Sequence, residues 1–201
     1  MPKPSQIRPR TRPPEERREE LLNAALHCFL KQGVEATTIE QITTTAEVAK
    51  GTFYLYFSSK EELLAGLGER FECGLLAKIE AAVMECSPDD WEGKLAAWAV
   101  ACVHGYLDEI RLHDIAFFGY RRPVRQGLVD NGIINQLEAL LKDGAAARAW
   151  RVEDARCCAN FLFSGMHGVV DAAIAQEKRV KRTRLVQRLK KLCLGVVEIA
   201  G

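Results

Sequence analysis

The sequence contains no uninterrupted apolar stretch near the roughly 18 residues that a membrane-spanning helix needs. Its N-terminus is rich in proline and arginine, where a secretory leader would carry an apolar core. The seven cysteines form an odd set with no CxxC pair and no zinc-knuckle spacing, so neither a disulfide framework nor a zinc module is expected. Together these absences point to a cytoplasmic chain with reduced thiols. Strict period-two alternation is sustained nowhere, which argues against sheet folds. No nucleophile–base motif, phosphate-cradling glycine loop or paired-carboxylate signature stands out, so neither an enzyme nor a bound cofactor is expected. Proline is scarce and unevenly placed. Five of the seven fall within residues 1–14, leaving Pro88 and Pro123 to interrupt everything after them.

What remains is an ordinary globular composition, 48% apolar and 27% charged over 201 residues, enough for a sizeable core. The formal charge of +1 hides an asymmetry. Residues 1–60 hold nine Lys and Arg against seven acids, and residues 1–14 carry four bases and no acid. That segment, with no repeating apolar face, reads as a flexible basic arm able to reach phosphates or a minor groove, or simply as a solvated terminus.

From residue 15 the pattern is helical. Leu22, Ala25, Leu26 and Phe29 share one face of a helix over 15–32, whose first turns are acidic and whose end is marked by Gly33. Thr37-Thr38 precede a short helix over 39–46, with Glu40 or Gln41 placed to complete a capping box. Glu47-Val48 turn the chain into a second short helix over 49–56. Ser58-Ser59 then cap a long helix over 60–86. Helices this short are marginal alone. Ile39, Ile42, Val48, Phe53 and Phe57 make sense only as a core shared with the first helix, which gives a three-helix unit containing a helix-turn-helix. After the Ser87-Pro88-Asp89-Asp90 break, helices are expected over 90–110, 112–121, 124–148, 153–176 and 182–199. The expectation is an all-α chain in three parts: the arm 1–14, a DNA-binding unit 15–62, and a helical ligand-binding and dimerisation domain 63–201.

The stretch from Thr37 to Leu64 resembles the tetracycline-repressor (TetR) family of transcriptional regulators. The matching residues are Ala24-Ala25 and Phe29, Gly33, Thr37-Thr38, Gly51-Thr52-Phe53-Tyr54, Tyr56-Phe57, and Ser59-Lys60-Glu61 with Leu63. They follow in the family's order and spacing over about fifty residues. Beyond about residue 70 only length and helical composition agree. Three positions depart from the family pattern: Thr43 for a common alanine, Glu47 for the glycine usual in the turn, and Ala49 for a capping serine. A non-glycine residue in such a turn carries a steric cost, and a missing hydroxyl cap costs about 1 kcal/mol.

The resemblance implies that the second short helix enters the major groove, where base edges are distinguishable. Thr37, Thr38, Lys50, Gly51, Thr52, Tyr54, Tyr56 and Lys60 are the candidates for DNA contact. Lys50 suits guanine or phosphate, Gly51 a close backbone approach, the tyrosines phosphate, sugar or a thymine methyl, and Thr38 and Lys60 the phosphate backbone. For Gly51 helix packing is the competing reading, for Lys50 solvation, and for the tyrosines a place in the core.

Reading two half-sites one helical turn apart, on a palindromic double-stranded operator, requires a homodimer, and the family dimerises through its last two long helices. Leu185, Leu189, Leu192 and Val196 form one apolar seam; Leu162, Gly165 and Val169 lie on another. Trp98, Cys102, Phe117, Phe118, Phe163, Met166 and His167 suggest a pocket for a mostly apolar small-molecule effector, or plain core. The effector would release a repressor from its operator by binding the DNA-incompetent state more tightly. Two alternatives stay open: a regulator signalled through thiols or through a metal held by His104, His113 and His167 with cysteines, the adjacent Cys157-Cys158 being read as packed, and a helical small-molecule-binding protein whose helix-turn-helix is incidental.

Overall fold

The computed structural model describes residues 13–118, 131–176 and 180–199, with the backbone alone at 118, 198 and 199. The arm, all but its last two residues, lies outside them. Among the described residues there is no strand.

Several helix boundaries have a local cause. Helix α1 (Pro14–Gln32) begins on a proline and two acids, Glu15 and Glu16, which suit a helix N-terminus. It ends at Gly33, whose φ of 85° only glycine adopts cheaply and whose N–H donates to the Phe29 carbonyl at 2.9 Å. Helix α2 (Ile39–Thr45) carries the capping box between Thr38 and Gln41. The turn into α3 (Lys50–Phe53) passes through Glu47 at φ 56°, and Ala49 caps α3 without a side-chain bond. Helix α4 (Lys60–Met84) opens on Ser59, whose hydroxyl accepts the Glu62 N–H at 3.2 Å. Helix α5 (Trp91–Asp108) is capped by Asp90 through the Gly93 N–H at 2.8 Å. Helix α6 (Ile110–His113) runs into a π-helical turn, Asp114–Phe118. Asn131 caps α7 (Gly132–Ala146), and α8 (Ala155–Gln176) and α9 (Arg182–Ile199) complete the chain.

Three expectations shift. The helix foreseen over 49–56 is a four-residue helix followed by turns, because Ala49 supplies no cap and Gly51 adds little helix propensity. The helix foreseen over 112–121 starts instead at Ile110, and its described part widens at once to π geometry. The helix foreseen over 124–148 is described only from Gly132.

By their internal contacts the residues divide into two compact units: Met1–Gly68 with Asp114–Tyr120, and Glu69–His113 with Arg121–Gly201. In the first, Leu21, Leu22, Phe29, Ile42, Phe53 and Leu63 are essentially sealed from solvent. In the second, α9 packs mainly on α5 and α7 on α8, around Trp98, Leu95, Ile134 and Leu137.

Candidate nucleic-acid interface

The interface is built from the core outwards. Phe53 and Phe57 lie four residues apart and are buried, with ring centroids 5.8 Å from each other. The Arg18 guanidinium sits 5.3 Å over the Phe57 ring, a cation–π contact from α1. With 53 and 57 facing inward, residues 54 and 55 must face outward. Tyr54 is 52% exposed and Leu55 79%. Lys50 and Gly51 are exposed; Thr52 and Tyr56 are half-buried. A Cβ added at Gly51 would meet nothing within 4 Å, so packing inside the protomer does not require glycine there. Thr38 is exposed at the start of α2, its hydroxyl accepting the Gln41 N–H at 3.2 Å.

One predicted contact, Thr37, is corrected, and another, Lys60, also has a structural role. Thr37 is 1% exposed, and its hydroxyl donates to the Gly33 carbonyl at 2.7 Å, so it closes the α1–α2 connection and does not face outward. Lys60 spends two of its three ammonium protons on the carbonyls of Val34 and Thr37, at 2.7 and 3.0 Å, and so ties the start of α4 to that connection. Beside it, Ser58 donates its N–H and hydroxyl to Glu62, both at 2.6 Å, holding that carboxyl below its usual range. Leu55 is the residue that sequence reasoning missed. The signal was present in the four-residue spacing of Phe53 and Phe57, which leaves position 55 on the opposite side.

The predicted ligand residues do not form one group. Phe117 falls in the first unit, its ring 3.7 Å from where a Cβ on Gly68 would lie, and the Phe118 side chain is outside the described residues. In the second unit Phe163 and His167 meet at 4.6 Å between centroids. His167 also meets Tyr106 at 5.0 Å and His113 at 5.7 Å, and the Tyr106 hydroxyl donates to Asp171 at 2.7 Å. Burial pushes the His167 pKa down, with Asp171 opposing. Met166 receives the Cys193 thiol at 3.7 Å. Burial, with a neighbouring thiol adding to it, pushes the Cys102 and Cys193 thiols up to about 12 and raises that of Cys158. These are poor sources of the reactive thiolate. Trp98 is wholly buried, and its indole N–H has no acceptor among the described residues.

The predicted dimer seams divide as well. Leu162, Leu185 and Leu189 are buried within their own protomer and are corrected to core. Gly165 is exposed, Val169 and Val196 are half-exposed and Leu192 is 51% exposed. Phe161, not predicted, is 64% exposed on α8.

A buried-core trihelical unit presenting a short helix with exposed lysine, glycine and tyrosine defines the class of helix-turn-helix proteins. Residues 21–67 match the profile of the bacterial regulatory proteins of the tetR family. Over this N-terminal segment the chain is similar to that family. The transcriptional regulator TcmR of Streptomyces glaucescens is 46% identical over 63 residues, 31% of this chain and 28% of TcmR. The chain spans about a fifth to a half of the length of such curated relatives, 19% of one from Bacillus subtilis and 52% of SrpR from Pseudomonas putida. Solved structures extend the likeness of fold. The fatty acid degradation regulator FadR from Bacillus halodurans superimposes with a TM-score of 0.75 at 24% identity, over 92% of this chain and 97% of FadR. SmeT, described as the repressor of the Stenotrophomonas maltophilia multidrug efflux pump SmeDEF, gives 0.68 at 22% identity over 89% of both chains. A SmeT–triclosan complex gives 0.69 at 21% identity, over 90% of this chain and 91% of that one.

Proposed function

We propose that the chain is a homodimeric repressor of transcription that binds a palindromic duplex operator and leaves it when a small, mostly apolar effector binds. The observation that carries this reading is the outward cluster of Lys50, Gly51, Tyr54 and Leu55 on α3 and the turns that follow it, whose other side is sealed by Phe53 and Phe57. Lys50 supplies charge to phosphate or guanine, Thr38 and Tyr54 hydrogen bonds to phosphate, and Leu55 an apolar surface for a thymine methyl or sugar. Thr52 and Tyr56 border this face.

Dimerisation is supported by α8. By length and composition α8 is apolar enough to cross a membrane, yet 22% of its most apolar window is buried in the protomer. Phe161, Gly165 and Val169 on α8, with Leu192 and Val196 on α9, offer the apolar and small side chains that a second copy would cover. A dimer places two recognition helices on half-sites about one turn, roughly 34–36 Å, apart.

Effector binding is supported by the orphaned indole N–H of Trp98. A buried donor without a partner costs about 1–3 kcal/mol, which an acceptor on a ligand would offset. Phe163, Met166, Cys102 and the Tyr106–His167 pair would provide the apolar surroundings and polar orientation. That SmeT is held in a complex with triclosan makes an aromatic effector a reasonable class for this chain too.

Selection of bound fragments from a random duplex library by the purified chain tests this reading. Enrichment of an inverted repeat whose half-sites lie about one helical turn apart is expected, and recovery of no sequence pattern would remove the operator from the account.

A further inference from the structure

The C-terminal end of α7 borders a cleft of about 240 Å³ that lies apart from the residues considered so far. Glu92 at the start of α5, the Arg148–Arg151 connection, and Leu194 and Val197 of α9 line it. One wall is rigid. Trp150 is 8% exposed and donates its indole N–H to the Leu141 carbonyl at 2.9 Å. Its ring presses so closely on Gly144 that a Cβ there would come within 2.1 Å of it. The Trp91 ring meets it edge-on at 6.4 Å. The cleft is therefore shaped before anything enters it, and a preformed site spends little on ordering.

Its charged rim is unusual. Arg148 holds φ at 62°, in the left-handed region that disfavours every side chain of this size. Capping does not require an arginine there. The Arg148 and Ala149 N–H groups close the end of α7 onto the Ala145 and Gly144 carbonyls at 3.0 and 2.9 Å, by backbone alone. The side chains of Arg148, Arg151 and Glu92 have no hydrogen-bond or ion-pair partner among the described residues, although they share the cleft.

We infer that this cleft binds a small organic carboxylate, its acid group on the Arg148 and Arg151 guanidiniums and its apolar body against Trp150, Leu194 and Val197. Guanidinium matches carboxylate with two parallel N–H donors, while Glu92 repels an acid group from its own side and so orients the ligand. Drug-sized ligands occupy roughly 300–1,000 Å³. The smaller space here suits one ring or a short branched chain. The site is separate from the proposed dimer face, since Leu194 lies about 160° round the α9 axis from Val196 at 3.6 residues per turn.

Isothermal titration of the full chain with phenylacetate, benzoate and 4-methylpentanoate, with 2-phenylethylamine as the cationic control, tests it. Saturable binding of one carboxylate per chain is expected, with none of the amine. Arg148→Gly and Arg151→Gln should each weaken binding by about tenfold or more, as loss of a charge-assisted pair implies. Arg148→Gly also relieves the left-handed strain, so its thermal midpoint should rise while binding falls, which separates the site from the fold. Absence of saturable binding by all three acids, equal binding of the amine, or carboxylate affinity unchanged in the double variant would each overturn the proposal.

Discussion

At residue scale, Glu47 and Ala49 are two of the three places where this chain departs from the TetR-family pattern, and both departures have physical consequences. Glu47 adopts φ 56° in the turn between α2 and α3, the conformation for which glycine is the usual residue. Ala49 caps α3 with no side-chain bond. Glu47→Gly should therefore raise stability by about 1 kcal/mol, and Ala49→Ser by about 1 kcal/mol. Urea titration checks both; a fall in midpoint for Glu47→Gly would show that the carboxylate's own contacts outweigh the strain. Lys60 shows where sequence reading stops. Its place in the motif suggested a phosphate contact, whereas its ammonium holds the Val34 and Thr37 carbonyls. No spacing rule foresees a bond across 26 and 23 residues. Lys60→Met should cost about 2 kcal/mol of stability, the range for hydrogen bonds to a charged donor. A variant as stable as the parent in the same titration would return Lys60 to the surface.

At the scale of elements, boundaries with a chemical marker were legible: Gly33, the Thr38–Gln41 box, Asp90 and the core spacing of Phe53 with Phe57. Boundaries set by packing were not. Nothing in the periodicity of 110–118 distinguishes a π-helical turn from continued α-helix, because the two differ by how the backbone closes and not by composition. Periodicity also reports that a face is apolar without saying what covers it. Leu185 and Leu189 turned inward while Leu192, on the same seam, stays half in solvent. The contact of α8 with α5 at Tyr106, His167 and Asp171 leads to a pH prediction. Burial depresses the His167 pKa in the folded chain. Its contribution to stability is therefore complete above the unfolded value of about 6.5 and is lost as pH falls through the lower folded value. The stability of the parent minus that of His167→Gln should shrink on acidification below about pH 6.5. A difference that stays constant across that range would mean that the imidazole titrates as it does in solvent.

At the scale of the whole molecule, the account depends on two copies. Phe161 and Leu192 are 64% and 51% exposed, so replacing either with glutamate leaves the protomer's core intact. In sedimentation, Phe161→Glu with Leu192→Glu should shift the protein to monomer and lower operator affinity with it, since each copy alone grips one half-site. A variant that remains dimeric would move the interface elsewhere. The dimer's operator affinity, measured against salt for the parent and for Lys50→Ala with Tyr54→Ala, tests the central claim most directly. Each lysine lost from a phosphate contact lowers the salt slope by about 0.9. The variant dimer should thus bind more weakly at every salt concentration, with a slope shallower by close to 2 if both Lys50 side chains meet phosphate. Unchanged affinity and slope in the variant would contradict the assignment of this face to DNA.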